Sequence, residues 1–121
     1  MTALSSIESL DKWLDESELP EPYRSQPGMQ DWARISKIAE ELGEAIQAFI
    51  GATGQNPRKG ITHDMDDVLE EIADVIITGY CAIQHFTKNS IQTHKIVDNR
   101  LSTLLKRIGL PNQHDLGLNA P

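Results

Sequence analysis

Apolar residues recur at three- and four-residue steps along most of this chain, and that spacing predicts helices. Ile7, Leu10 and Leu14 follow Ser5 and Ser6, so a short amphipathic helix is expected from Leu4 to Asp15. Pro20, Pro22, Pro27 and Gly28 then form an irregular connector. From about Asp31 to Ile50, the residues Ile35, Ile38, Leu42, Ala45, Ile46 and Phe49 fall on one helical face, and Gly51 and Gly54 stop it. The next segment is a loop with three glycines, one proline and the adjacent cations Arg58 and Lys59. Thr62 stands where it could cap a third helix, with Asp64, Asp66 and Asp67 in the first turn, where the helix dipole favours them. Val68, Ile72, Val75, Ile76, Gly79 and Ile83 carry that helix to about Phe86. A fourth, from Ser90 to about Ile108, carries Ile91, Val97, Leu101, Leu104, Leu105 and Ile108, before Gly109 and Pro111. The tail beyond reads as poorly ordered.

No stretch alternates with period two, and no Asn-Gly or Asp-Gly hairpin signal occurs. The expected fold class is therefore all-α: a bundle of three longer helices plus a short N-terminal helix. It forms one domain, 1–121, with its core at about 31–108. Such a bundle is thin. Over Val75–Ile83 the third helix is apolar nearly all round, so completion by a second copy is expected, as a dimer or tetramer.

The length of 121 residues suits one domain. Aromatics make up only 5% of the chain, so the core must be built from Ile, Leu, Val and Ala. Eleven basic residues against 18 acidic ones leave a net charge of −7, which argues against a nucleic-acid polymer or an anionic membrane as partner. No apolar run approaches the roughly 18 residues of a membrane span. The first residues lack the basic and apolar regions of a signal peptide. The single cysteine, Cys81, excludes an intrachain disulfide framework and a cysteine zinc site. A cytoplasmic location is the expectation.

An internal echo carries the chemistry. Glu40-Glu41-Leu42-Gly43-Glu44 resembles Glu70-Glu71-Ile72-Ala73-Asp74, and both lie inside strong helical patterns. At about 100° per residue, Glu41 and Glu44 lie about 60° apart on one face, as do Glu71 and Asp74. Each pair flanks its apolar stripe rather than opposing it. One such pair is ordinary on a solvated face; two, on adjacent helices, point to a site. Antiparallel packing would bring Glu41, Glu44, Glu71 and Asp74 together, and four carboxylates repel unless a cation sits among them. Oxygen ligands suit Mg²⁺ or Mn²⁺, and Mg²⁺ usually brings phosphates. Gly43 and Ala73 are expected to let the two helices approach closely. A di-iron bundle is disfavoured, because Glu-x-x-His is missing from the chain.

Cations complete the constellation. Lys37 precedes Glu41 by one turn and can pair with it or reach a phosphate. Arg58 and Lys59 in their loop can grip phosphate or stay solvated. Lys95 and Asn99 lie one turn apart on the fourth helix beside Arg100, on what is otherwise a solvent face. Trp13 and Trp32 suit core or interface positions, with base stacking as the other role for Trp32. His63, His85, His94 and His114 are not spaced as a shared metal site. Walker A, G-x-G-x-x-G and G-x-S-x-G motifs and a Cys/His nucleophile pair are all missing from the sequence, so a metal-activated water is the natural alternative to covalent catalysis.

At these residues the chain resembles the MazG-like branch of the all-α nucleoside triphosphate pyrophosphohydrolases. That superfamily carries E-E-x-x-E, a gap, then E-x-x-D; here these are Glu40, Glu41 and Glu44, then Glu71 and Asp74, with 26 residues between Glu44 and Glu71. The resemblance covers roughly Asp31 to Arg107. Lys37, the Lys95/Asn99 pair and the loop GQNPRKG match the family more loosely. The resemblance implies hydrolysis of a (deoxy)nucleoside triphosphate to the monophosphate and pyrophosphate, as in nucleotide-pool housecleaning. It implies Mg²⁺ held by Glu41, Glu44, Glu71 and Asp74, with Glu40 binding a second ion or positioning the attacking water. It also implies dimers, or tetramers built from dimers, with sites at the subunit contact. Two alternatives remain: phosphoribosyl-ATP pyrophosphatase, which shares the helical fold and acidic motif, and a non-catalytic helical dimerisation or regulatory module. The sequence has no further feature that favours the former.

Overall fold

The computed structural model describes residues 6–112. The expectations for Leu4, for His114 and for the tail past Asn112 fall outside that range. Four α-helices follow one another: α1 (Ile7–Ser17), α2 (Met29–Thr53), α3 (Met65–Thr87) and α4 (Ser90–Arg107), with a short 3₁₀ turn at Tyr23–Ser25. No strand occurs among the described residues, so the chain is all-helical there. No helix among them is long and apolar enough to cross a membrane.

The helix ends show why the chain breaks where it does. α3 starts at Asp64 rather than at the expected Thr62. The Asp67 amide donates to Asp64 Oδ1 at 2.9 Å and the Asp64 amide to Asp67 Oδ2 at 3.0 Å, a reciprocal capping box. Asn89 caps α4 by accepting from the Gln92 amide at 3.0 Å. Gly54 ends α2 in the left-handed region at φ 66°, which glycine adopts without strain.

α2 and α3 pack antiparallel as the central pair. Residues near the start of α2 (Arg34, Lys37) face the later part of α3 (Ile77, Thr78, Cys81), and the end of α2 (Phe49) faces its start (Val68). α1 covers the Arg34 end through Leu10 and Leu14. α4 is joined to α3 by a buried polar link: Thr93 Oγ1 donates to Gln84 Oε1 at 2.8 Å and lies 2.7 Å from Thr87 Oγ1.

The core differs from the expected one. The fully buried positions of α2 are Ala33, Arg34, Ala45, Ala48 and Gly51, mostly small residues that let α3 come close. The large apolar stripe stands outside: Ile35, Leu42, Ile46 and Phe49 on α2 are about half exposed, as are Leu69, Ile72 and Ile76 on α3. The described residues do not cover these side chains, and a shallow groove of about 390 Å³ lies between Leu42, Phe49 and Ile72.

Two glycine expectations change places. A Cβ on Gly43 would meet nothing within 4 Å, so Gly43 does not mediate the helix contact, and Ala73 is exposed. Gly51 does mediate a close approach. The Thr62 amide donates to its carbonyl at 3.0 Å, and a Cβ there would lie 2.3 Å from Thr62 Oγ1 and from His63 Nδ1.

Candidate metal centre

The antiparallel pair brings three of the four expected ligands together. Carboxylate oxygens of Glu41, Glu44 and Glu71 all lie within 4.8 Å of one another. Asp74, one turn beyond Glu71, is exposed and stands outside this tight group, although its charge still reaches Glu41. Glu40 points away, as the roughly 100° step from Glu41 requires. It is exposed and pairs with Lys37 Nζ at 3.4 Å. Lys37 Nζ also lies 3.6 Å from Glu41 Oε1, so Lys37 borders the cluster as its nearest resolved cationic contact.

The electrostatics of the cluster are unsatisfied. Desolvation and repulsion from Glu44 push the Glu41 carboxyl above its ordinary value; Lys37 pulls it down and Asp74 adds to the rise. Glu71 Oε2 is buried with no hydrogen-bond partner. A buried, unpaired carboxylate oxygen beside two further carboxylates is costly without a compensating charge. The donor set is all oxygen, which suits a hard cation such as Mg²⁺ or Mn²⁺. These residues therefore fit such an ion.

Lys37 is held ready. Desolvation works against its charged form, but the hydrogen bond it donates to Glu40 and the charges of Glu40, Glu41 and Glu18 outweigh it and raise its pKa.

The other proposed contacts make no hydrogen bond or ion pair with these carboxylates among the described residues; all are exposed. Arg58 and Lys59 are exposed in the 54–64 loop. Lys95 and Asn99 are exposed on α4. Trp32 is 64% exposed and, nine residues before Glu41, lies on the opposite side of α2. Trp13 is also largely exposed.

A second acidic group, Asp11, Asp15 and His85, also draws together. It already contains its cations. Arg34 Nη2 lies 3.2 Å from Asp11 Oδ1 and 2.7 Å from Asp15 Oδ1, and Lys88 Nζ is 3.1 Å from Asp11 Oδ2. His85 Nε2 is 2.6 Å from Asp31 Oδ1. This group ties α1 to α2 and α3. Burial raises the Asp15 carboxyl, but the hydrogen bond from Arg34 and the charges of Lys88 and Arg34 prevail and hold it below its ordinary value. Sequence reasoning missed Arg34, because one arginine among apolar residues carries no signal until α1 delivers its partners. Cys81 is buried nearby, and desolvation pushes its thiol up to about 11, so it is no nucleophile.

Comparison with protein-family models, with curated proteins and with solved structures finds no match.

Proposed function

We propose that this protein is a divalent-cation-dependent nucleoside triphosphate pyrophosphohydrolase. The observation that carries the reading is the convergence of Glu41, Glu44 and Glu71 from two helices, with Glu71 Oε2 buried and unpaired. Water adds to the α-phosphorus, the bond to the α–β bridging oxygen breaks, and pyrophosphate leaves with that oxygen. When bound, Mg²⁺ supplies charge neutralisation of the phosphates and a lowered pKa for water. Glu41, Glu44 and Glu71 would hold the ion, and Asp74, outside this group, would add its negative charge nearby. Glu40, which points away from these three and pairs with Lys37, has no direct part at the ion and acts through Lys37. Lys37 bridges Glu40 and Glu41 and meets the phosphate charge at that edge. The test is product identity by ³¹P NMR over a panel of nucleoside triphosphates, with phosphoribosyl-ATP included. Monophosphate plus pyrophosphate supports the reading; diphosphate plus phosphate, or no turnover of any substrate, overturns it.

The uncovered apolar face supports assembly with a second copy. Light scattering at micromolar concentration is expected to give at least a dimer. Ile46→Lys, which places a charge in the middle of that face, is expected to give a monomer. A wild-type monomer would contradict this.

The loop cations are expected to act through binding. Arg58 and Lys59 are exposed and outside the helices, so they contact a phosphate equally in ground and transition states. Lys59→Ala is expected to raise KM with kcat nearly unchanged, whereas Lys37→Ala is expected to lower kcat, because Lys37 adjoins Glu41. Steady-state kinetics on both variants checks this; a kcat loss at constant KM in Lys59→Ala would contradict it.

A further inference from the structure

A groove of about 260 Å³ opens where α2 meets the 54–64 loop, walled by Gln47, Ile50 and Gly51 on the helix and by Asn56, Lys59 and His63 on the loop. One of its wall residues, Gln47, stands about one turn along α2 from Glu44. Gln47 follows Glu44 by three residues, about 4.5 Å along the axis and about 60° round it. The bare backbone at Gly51 lets the loop close onto α2 there.

The groove's polar groups are set by local bonds. The Arg58 amide donates to Asn56 Oδ1 at 3.1 Å, which fixes the Asn56 amide and leaves its NH₂ to donate outward. Thr62 Oγ1 engages His63 Nδ1 at 2.9 Å, which leaves the far ring nitrogen available. Ile50 supplies an apolar wall. Two side-chain amides and an imidazole beside an aliphatic surface suit a flat, neutral heterocycle with mixed donors and acceptors.

The opposite end of the carboxylate row has a different character. There Lys37 stands 3.6 Å from Glu41. A nucleotide laid across the carboxylates has one anionic end and one neutral, aromatic end. A cation among the carboxylates, with Lys37 beside Glu41, suits the former and the amide-lined groove the latter.

We infer that this groove binds the nucleobase of the substrate, with Gln47 and Asn56 reading its hydrogen-bonding edge. The inference rests on the pyrophosphohydrolase reading for its substrate class, and its test uses neither a triphosphate nor Mg²⁺. Amide-resolved NMR spectra of the wild type and of Gln47→Leu are titrated with the four deoxynucleosides and, separately, with inorganic tripolyphosphate. At least one deoxynucleoside is expected to shift the side-chain amides of Gln47 and Asn56. Gln47→Leu is expected to weaken that binding by about fivefold or more, the value of one base-reading side chain. Tripolyphosphate is expected to leave these two signals unmoved. If tripolyphosphate moves them and no deoxynucleoside does, the groove holds phosphate and the inference fails. If nothing moves them, it fails as well. Nucleoside shifts without any pyrophosphate release would overturn the enzymatic reading alone; pyrophosphate release without nucleoside shifts would overturn this inference alone.

Discussion

Arg34→Met is expected to destabilise the fold by about 3 kcal/mol, measured by urea denaturation at pH 7, with Mg²⁺ absent. Arg34 is 2% exposed and its Nη2 donates both to the Asp11 carbonyl and to Asp15 Oδ1, each at 2.7 Å. Methionine fills similar space but leaves the buried Asp11 carboxylate short of a cation. Removing one partner of a buried pair typically costs about 3–5 kcal/mol. Lys88, 3.1 Å from Asp11 Oδ2, remains and keeps the loss at the lower end. Adding Asp11→Asn to Arg34→Met is expected to recover part of the loss, because a neutral amide is cheaper to bury than an unpaired carboxylate. The pH dependence has a definite sign. Asp15 is held below its ordinary value of 3.8, so its pairing stabilises fully above that pH and is lost as pH falls through the folded value. The gap between wild type and Arg34→Met is expected to narrow on acidification below pH 4. A gap that widened there, or a variant as stable as the wild type at pH 7, would show that Arg34 does not hold α1 in place.

Glu71→Gln is expected to lower turnover by a factor of about 100 or more while leaving the fold intact, as is usual when a group acting only on the reacting centre is removed. In the metal-free protein the substitution removes one charge from a crowded set and supplies a donor beside Glu41 and Glu44. Thermal stability without Mg²⁺ is therefore expected to hold or rise. With Mg²⁺ the order reverses, because an ion that binds only the folded state stabilises it by mass action and the wild type binds it better. Thermal melts of both proteins with EDTA and with excess Mg²⁺ check the reversal. Equal Mg²⁺-induced shifts would place the ion, if it binds, away from Glu71.

The helical periodicity was legible at once, and the four helices stand within a few residues of their expected bounds because apolar spacing and Pro/Gly punctuation are local signals. The pairing of Glu41 and Glu44 with Glu71 was legible for a similar reason: two short patterns in two helices need only antiparallel packing to meet. What was hidden depends on partners far along the chain. The stripe of Ile35, Leu42, Ile46 and Phe49 marks an apolar face, but sequence spacing does not say whether that face turns to α3 or away from it. Here small residues take the inner face and the large ones remain outside. Arg34 is invisible as a core residue until Asp11 and Asp15 arrive from α1. Gly43 and Gly51 look alike in the sequence, and only the loop closing over Gly51 distinguishes them. Thr62 and Asp64 are both capable caps; the reciprocal bond with Asp67 decides for Asp64.

On the proposed reading, Glu41, Glu44 and Glu71 hold a divalent cation on which pyrophosphate release depends. Its most direct test is the rate of pyrophosphate release from a mixed deoxynucleoside triphosphate pool as Mg²⁺ is titrated, for the wild type and for Glu44→Gln/Glu71→Gln. The wild type is expected to release pyrophosphate with a saturable Mg²⁺ dependence that EDTA abolishes, and the double variant to release none above background. Release that persists in EDTA, or a double variant as active as the wild type, would contradict the assignment.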